Sequence, residues 1–436
     1  MFSPVFPKIH LPHLDDIPLP LMQTVRLRHA SSEPIGDISA VVDDALARSS
    51  QLAGLREGAS VAVAVGSRGI ADIEKVTAAA VRHLKQRAFS PFIVPAMGSH
   101  GGATAEGQAA VLAHLGVTEA SVGAPVCATM ETVEYGATLQ GIPCRFDKNA
   151  AEADAVLCIN RVKAHTSFDR PIESGLTKLV AVGLGKQAGA LNVHRIGPRG
   201  YTEVLPALAR IAIEHSPIAF GLALVENAAE QLTVIEGVEP DDFAATDGRL
   251  LKQAKSLMAR LPFEHLDGLV VEWIGKEISG SGMDPAIVGR VGIRSVPDPE
   301  KPFVNKLAVL GVTEDSYGNA VGLGNADYTT CKVANGIDLM PMYMNSITAA
   351  GTEGARIPAV LPDDRTVLRA MVATCWRADL EEVRFCQIRS TLHLDHVLIS
   401  PALASEIKGR DDMEILSDPA PLEFDADGVL TTHCPL

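Results

Sequence analysis

The 436-residue sequence has no C-x-x-C pair, and its seven cysteines (Cys127, Cys144, Cys158, Cys331, Cys375, Cys386 and Cys434) are scattered and odd in number. That spacing indicates neither a disulfide framework nor a structural zinc site, and the thiols are expected to be buried and reduced. No apolar run approaches the ~20 residues a membrane helix needs. The opening MFSPVFPKIHLPHLDDIPLP lacks the charged start and apolar core of a signal peptide, so a cytoplasmic protein without a membrane partner is expected. Basic charge is in deficit: 38 Lys and Arg against 53 Asp and Glu, formally −15. A duplex-binding surface needs clustered cations to displace counterions, so a nucleic-acid partner is not expected. Internal repeats and low-complexity tracts are absent, as are the H-E-x-x-H and H-x-H pairs that mark protein-only metal sites.

What is present is the composition of a globular chain, 47% hydrophobic with 37 glycines, of a length that suggests two domains. After a proline-punctuated opening, helical and strand patterns alternate. ISAVVDDALARSSQL, ADIEKVTAAAVRHLKQR and ATAEGQAAVLAHLG have helical spacing, the last with Thr104 as its cap. SVAVAVGS, PFIVPAMGSHGG and ADAVLCINRVK are short buried runs that end in glycine or polar residues. This pattern predicts an α/β fold with two αβ domains, largely parallel sheets flanked by helices, and an active-site cleft between the domains. The helix YTEVLPALARIAIEHS, the strand pair FGLALVEN and QLTVIEGVEP, and the charged helix DGRLLKQAKSLMARL follow. Pro262 stops that helix and LDGLVVEWIGKE begins a new series. The expected division is therefore 1–262, 263–400, and a final segment 401–436 returning to the first domain.

Ligands gather outside the carboxyl ends of strands in such sheets, so polar side chains at strand exits are the candidates for chemistry. His100 stands among glycines in GSHGG. His165 follows Arg161 and Lys163, cations that favour a neutral imidazole able to accept a proton. Lys178 lies in the small and apolar ESGLTKLVAVGLGK, where burial favours the neutral amine that alone can be acylated, although a lysine there can also bury its stem and expose its charge. His194, in GALNVH, has no neighbouring ligand. As a metal ligand it requires donors that are not protein. His83, His114 and His215 fall on helices among charged neighbours and are expected on solvated faces.

MGSHGGAT, NRVKAHTSF, ESGLTKLVAVGLGK and GALNVH together resemble the lactate racemase family, whose members use a nickel-pincer nucleotide (pyridinium-3-thioamide-5-thiocarboxylic acid mononucleotide nickel). The resemblance implies that Lys178 carries the cofactor through a thioamide and that His194, sixteen residues on, supplies a protein ligand to the nickel. It implies that residues 1–262 form the cofactor-binding domain. His100 and His165 match the family's two acid/base histidines. The implied activity is racemisation or epimerisation of a 2-hydroxy acid. One histidine removes the hydroxyl proton as hydride moves from the same carbon to the cofactor; return to the opposite face, with a proton from the other histidine, inverts the centre. Implied partners are the small 2-hydroxy acid and the proteins that build the cofactor.

Two segments depart from the family pattern. Prototype members carry an Asp-His-Thr-Arg-like run at the first strand exit, where this chain has VGSRGIADIEK. They also carry a Gly-Tyr-Pro loop with a later lysine where this chain has WIGKEISGSGMDP. Arg68 and Lys276 are the candidates for the substrate carboxylate, with Glu277 orienting the lysine. Both departures concern the substrate side, so the expected substrate is a 2-hydroxy acid other than lactate. Two alternatives remain open: a divalent-metal hydrolase using His100, His165 and His194, and a non-catalytic protein that binds the cofactor or a ligand.

Overall fold

The computed structural model describes residues 5–435 apart from 31, 67–68, 166–169, 198 and 295. Strand β1 (Gln23–Leu27) comes first, and its ladder partners lie almost 400 residues further along the chain. The fold is mixed α/β and divides into two compact units, Ala30–Met258 and Met1–His29 with Ala259–Leu436.

The Ala30–Met258 unit carries β2 (Ser60–Val65), β3 (Ser90–Pro95), β4 (Thr132–Ala137), β5 (Pro143–Asp147), β6 (Ala155–Arg161), β7 (Ile218–Glu226) and β8 (Leu232–Val238). Five of these form one sheet in the order β3-β2-β6-β7-β8, while β4 and β5 pair separately. β3, β2, β6 and β7 run parallel and β8 returns antiparallel. Side chains alternate across a strand, so each buried run feeds two cores. Val61, Val63 and Val65 pack with Ile93 and with Val76, Ala80 and Leu84 of the helix Ile73–Gln86. Ala62 and Ala64 face the other way, with Cys158, Leu205, Leu208 and Leu250. Covered on both faces, β6 reads as an unbroken apolar run, as strands of parallel sheets do.

From β2 the chain moves outward to β3, while β6 lies on the other side of β2. Neighbouring connections therefore diverge at the carboxyl ends of β2 and β6, the place where ligands gather in sheets of this kind. Gly66 leaves β2 at this point. A Cβ on it would stand 2.3 Å from Asn160 Oδ1 at the end of β6, so only glycine lets the two exits approach.

The second unit holds β9 (His265–Val271), β10 (Phe303–Val309), β11 (Tyr328–Thr330), β12 (Ala359–Leu361), β13 (Phe385–Ile388), β14 (His396–Ile399) and β15 (Met413–Ile415). With β1 they form an eight-stranded sheet in the order β12-β11-β10-β9-β13-β14-β1-β15. The first five are parallel, and β14, β1 and β15 add an antiparallel flank. The division between the units falls at Met258–Ala259. The chain ends differ from the expected division: residues 1–29 and 401–436 both belong with Ala259–Leu436. The reason is the ladder of β1 between β14 and β15, a pairing over long sequence separation that no local pattern encodes.

All seven cysteines are unpaired, and Cys127 alone among them is not buried. Among the described residues, no helix is long and apolar enough to cross a membrane.

Candidate functional site

Beside the carboxyl end of β6 stands a short helix, Leu176–Lys178. Its first N–H groups would be orphaned, as at any helix start. The buried Asp247 accepts both, from Leu176 at 3.0 Å and from Thr177 at 2.8 Å. Gly175 precedes them at φ +89°, where a Cβ would lie 2.1 Å from Asp247 Oδ1. Its carbonyl accepts the side-chain amide of Asn160 at 2.7 Å. The Lys178 segment is thus clipped to the end of β6 on one side and to the helix Phe243–Leu257 on the other. Burial raises the Asp247 carboxyl to about 6, against the pull of the N–H donors.

After Lys178 the backbone makes one turn of π-helix, Leu179–Gly183, with the Leu184 N–H bonded to the Leu179 carbonyl at 2.8 Å. Such turns are uncommon and concentrate at functional sites. This one lies against the exit of β3. Gly98 N–H donates to the Gly183 carbonyl at 3.1 Å, and a Cβ on Gly183 would stand 2.5 Å from the Ala96 carbonyl oxygen. The helix Lys186–His194 follows and ends at His194. Gly200 then packs so closely on the Val193 carbonyl that a Cβ would come within 2.0 Å of its oxygen. A second π-helical turn, Gly200–Val204, begins there and carries Tyr201.

Tyr201, only 5% exposed, is where the site converges. Its phenol oxygen lies 3.2 Å from His194 Nδ1, and the two ring centroids are 5.7 Å apart. The His165 ring is 5.2 Å from it, centroid to centroid. Lys178 Nζ lies 5.3 Å from the centroid of the same ring, within cation–π range, and donates to the Glu173 carbonyl at 3.4 Å. Three residues singled out in the sequence, His165, Lys178 and His194, are therefore gathered about one tyrosine. His165 is held through its backbone: its N–H donates to the carboxylate of Glu173 at 2.6 Å. Glu173, 2% exposed, also accepts from the Arg170 N–H at 2.8 Å and from Lys255 Nζ at 2.6 Å. Ser174 ties the same loop by accepting from the Lys163 N–H and donating to the Lys163 carbonyl.

His100 sits at the exit of β3, two strands from β6, or roughly 10 Å across the sheet at ordinary strand spacing. Gln108, wholly buried, donates its amide to the Gly98 carbonyl at 2.8 Å and to that of His100 at 3.5 Å. Its oxygen accepts from Lys186 Nζ at 3.0 Å, and that ammonium also meets Asp147 at 2.9 Å. Neither Lys186 nor Asp147 is exposed to solvent. Burial pushes the Asp147 carboxyl up and the Lys186 amine down, while each charge restrains the shift of the other.

Arg161 forms an ion pair with Glu226 and donates to the Gly69 carbonyl, which fixes the chain leaving β2. Arg68 itself lies outside the described residues. Lys276, in the other unit, donates Nζ to Asn345 Oδ1 at 2.7 Å and to the Gly280 carbonyl. Ser316 joins its neighbour Glu277 to the Lys276 N–H. His114 and His215 are exposed, as expected. His83 differs: it is half-buried, with Nδ1 3.1 Å from Asp43. Among the described residues no three His, Cys, Asp or Glu side chains come together to hold a metal ion, so His100, His165 and His194 do not form such a centre.

Tyr201, Glu173, Asp247 and Lys255 were not foreseen. The tyrosine and glutamate had local signals: GPRGYTE follows His194 closely, and a glutamate opens ESGLTK. Nothing near Asp247 or Lys255 in the chain points to residues seventy or more positions away.

No family model matches the sequence, and no curated protein is similar to it at a significant level. Among solved structures, the lactate racemase apoprotein from Thermoanaerobacterium thermosaccharolyticum is similar to this chain at 11% identity and a TM-score of 0.43, over 66% of this chain and 73% of that one. A likeness of that size assigns no residue, and the side-chain arrangement has to carry the reading.

Proposed function

We propose that the protein is a racemase or epimerase of a 2-hydroxy acid that works with a covalently held nickel-pincer nucleotide. The observation that carries the reading is the convergence of Lys178, His194 and His165 on Tyr201. An amine that can be acylated and an imidazole gathered about the same ring are what such a group requires. The donor set fits: a single histidine completes coordination only when the other donors come from the bound group itself. Lys178 would carry the nucleotide and His194 would ligate its nickel. When bound, the group supplies a site that reversibly accepts hydride.

The chain's own residues do the rest. His165 and His100 take and return the proton at the substrate hydroxyl oxygen, one for each enantiomer, because a symmetric reaction needs a base on each side. The Glu173 carboxylate holds the His165 backbone, and Gln108 holds that of His100. Arg68 is proposed to meet the substrate carboxylate by charge. The segment differences around Arg68 and Lys276 favour a substrate other than lactate.

The test is a chirality assay on a panel of 2-hydroxy acids, using protein co-expressed with the cofactor-building enzymes. Inversion of one of them is expected, with His100→Ala and His165→Ala each lowering kcat by about 100-fold or more at unchanged covalent loading. Full activity in both variants would contradict the roles given to these histidines.

A further inference from the structure

The residue that joins the site together, Tyr201, has no part in the reading above beyond its location. Its position is not incidental. The backbone goes to some length to deliver it: Gly200 packs on the Val193 carbonyl where no Cβ fits, and a π-helical turn begins at that glycine. The ring is almost wholly buried. The Lys178 amine lies over its face, the rings of His165 and His194 pack at an angle to it, and its oxygen meets His194 Nδ1.

A neutral imidazole carries one proton, and whichever nitrogen holds it cannot bind a metal. The partner of one ring nitrogen therefore decides what the other can do. A phenol oxygen can accept from Nδ1–H or donate to a bare Nδ1, and only the first arrangement leaves Nε2 basic. Histidine ligands of metals are commonly fixed in this way, the second N–H donating to an oxygen.

We propose that Tyr201 is a positioning residue: its phenol oxygen accepts the Nδ1 proton of His194 and so keeps Nε2 as the basic nitrogen, while its ring holds the Lys178 amine beside that imidazole. The inference rests on the proposed function for what Nε2 binds and for the direction of the Tyr201–His194 bond, and the tautomer is read separately from cofactor loading. Tyr201→Phe separates the two parts, since it keeps the ring and removes only the hydroxyl.

The experiment measures the ¹⁵N shifts of the His194 ring in the full-length apoprotein at about pH 8, where an ordinary imidazole is neutral, with His194→Ala to assign the signals. The Nδ1–H form is expected in the wild type, with the proton redistributed toward Nε2 in Tyr201→Phe. A wild-type His194 in the Nε2–H form, or the same tautomer population in both proteins, overturns the proposal. Should the variant not fold, the wild-type spectrum decides alone. On co-expressed, loaded protein, Tyr201→Phe should keep the Lys178 adduct but lose nickel to a chelator about 10–100-fold more readily. Nickel held equally well in both proteins counts against the proposal. If the wild type forms no adduct at all, the proposed function falls, and the tautomer measurement still settles the role of Tyr201.

Discussion

Two lysines stand eight residues apart in ESGLTKLVAVGLGK, and the protein treats them in opposite ways. Lys186 is wholly buried, at φ +53°, with Pro95, Gln108 and the Asp147 carboxylate around its ammonium. Its charge is neutralised inside the fold, and its bonds end in the backbone that carries His100. Lys178 is half-buried, lies against the face of Tyr201, and shares that ring with two histidines. A lysine committed to a buried counter-ion stabilises and positions; a lysine beside an aromatic face and imidazoles is placed where its amine can react. The π-helical turn between them makes the difference, because it changes which way successive residues face.

The contrast is broken most severely at Lys186. Lys186→Met leaves Asp147 buried and uncompensated, so a loss of about 3–5 kcal/mol is expected in denaturant unfolding. Adding Asp147→Asn, which keeps an oxygen to cap the Ala150 N–H, should recover a large part of that loss. A smaller effect, visible as a pH dependence, belongs to the support under Lys178. Asp247 has a folded-state value near 6 against an ordinary 3.8. Between those values the folded state binds more protons than the unfolded one, so this group's contribution to stability is full below about pH 4 and is lost as pH rises through 6. The wild type should lose up to about 3 kcal/mol over that window relative to Asp247→Asn, measured by urea unfolding at a series of pH values. Lys178→Met sharpens the comparison from the other side. It removes a half-buried cation whose contacts include the Tyr201 face and the Glu173 carbonyl, and a loss of about 1–2 kcal/mol, smaller than that of Lys186→Met, is expected in the same assay. A loss as large as that of Lys186→Met would mean that Lys178 too is a structural ion.

The sequence makes the sheets legible because their signal is local. SVAVAVGS, PFIVPAMGSHGG and ADAVLCINRVK became β2, β3 and β6, and Thr104 caps the helix Ala105–His114 by accepting from the Gly107 N–H. The strand exits that follow carry His100 and His165. What escaped has a long-range cause. β1 joins a sheet made almost entirely of later residues, and Asp247 and Lys255 reach the site from a helix distant in sequence. The distinction between Lys178 and Lys186 escaped as well. Both have small, apolar neighbours, and burial is decided by a turn geometry that composition does not reveal.

The central claim is that Lys178, and not Lys186, is the lysine that acquires a cofactor. Intact-protein mass spectrometry with nickel analysis, on protein co-expressed with the cofactor-building enzymes, tests it most directly. The account predicts a nickel-containing adduct of nucleotide size on the peptide that includes Lys178, absent from Lys178→Met. An unmodified chain beside a loaded racemase from the same cells, or an adduct that survives in Lys178→Met, would contradict it.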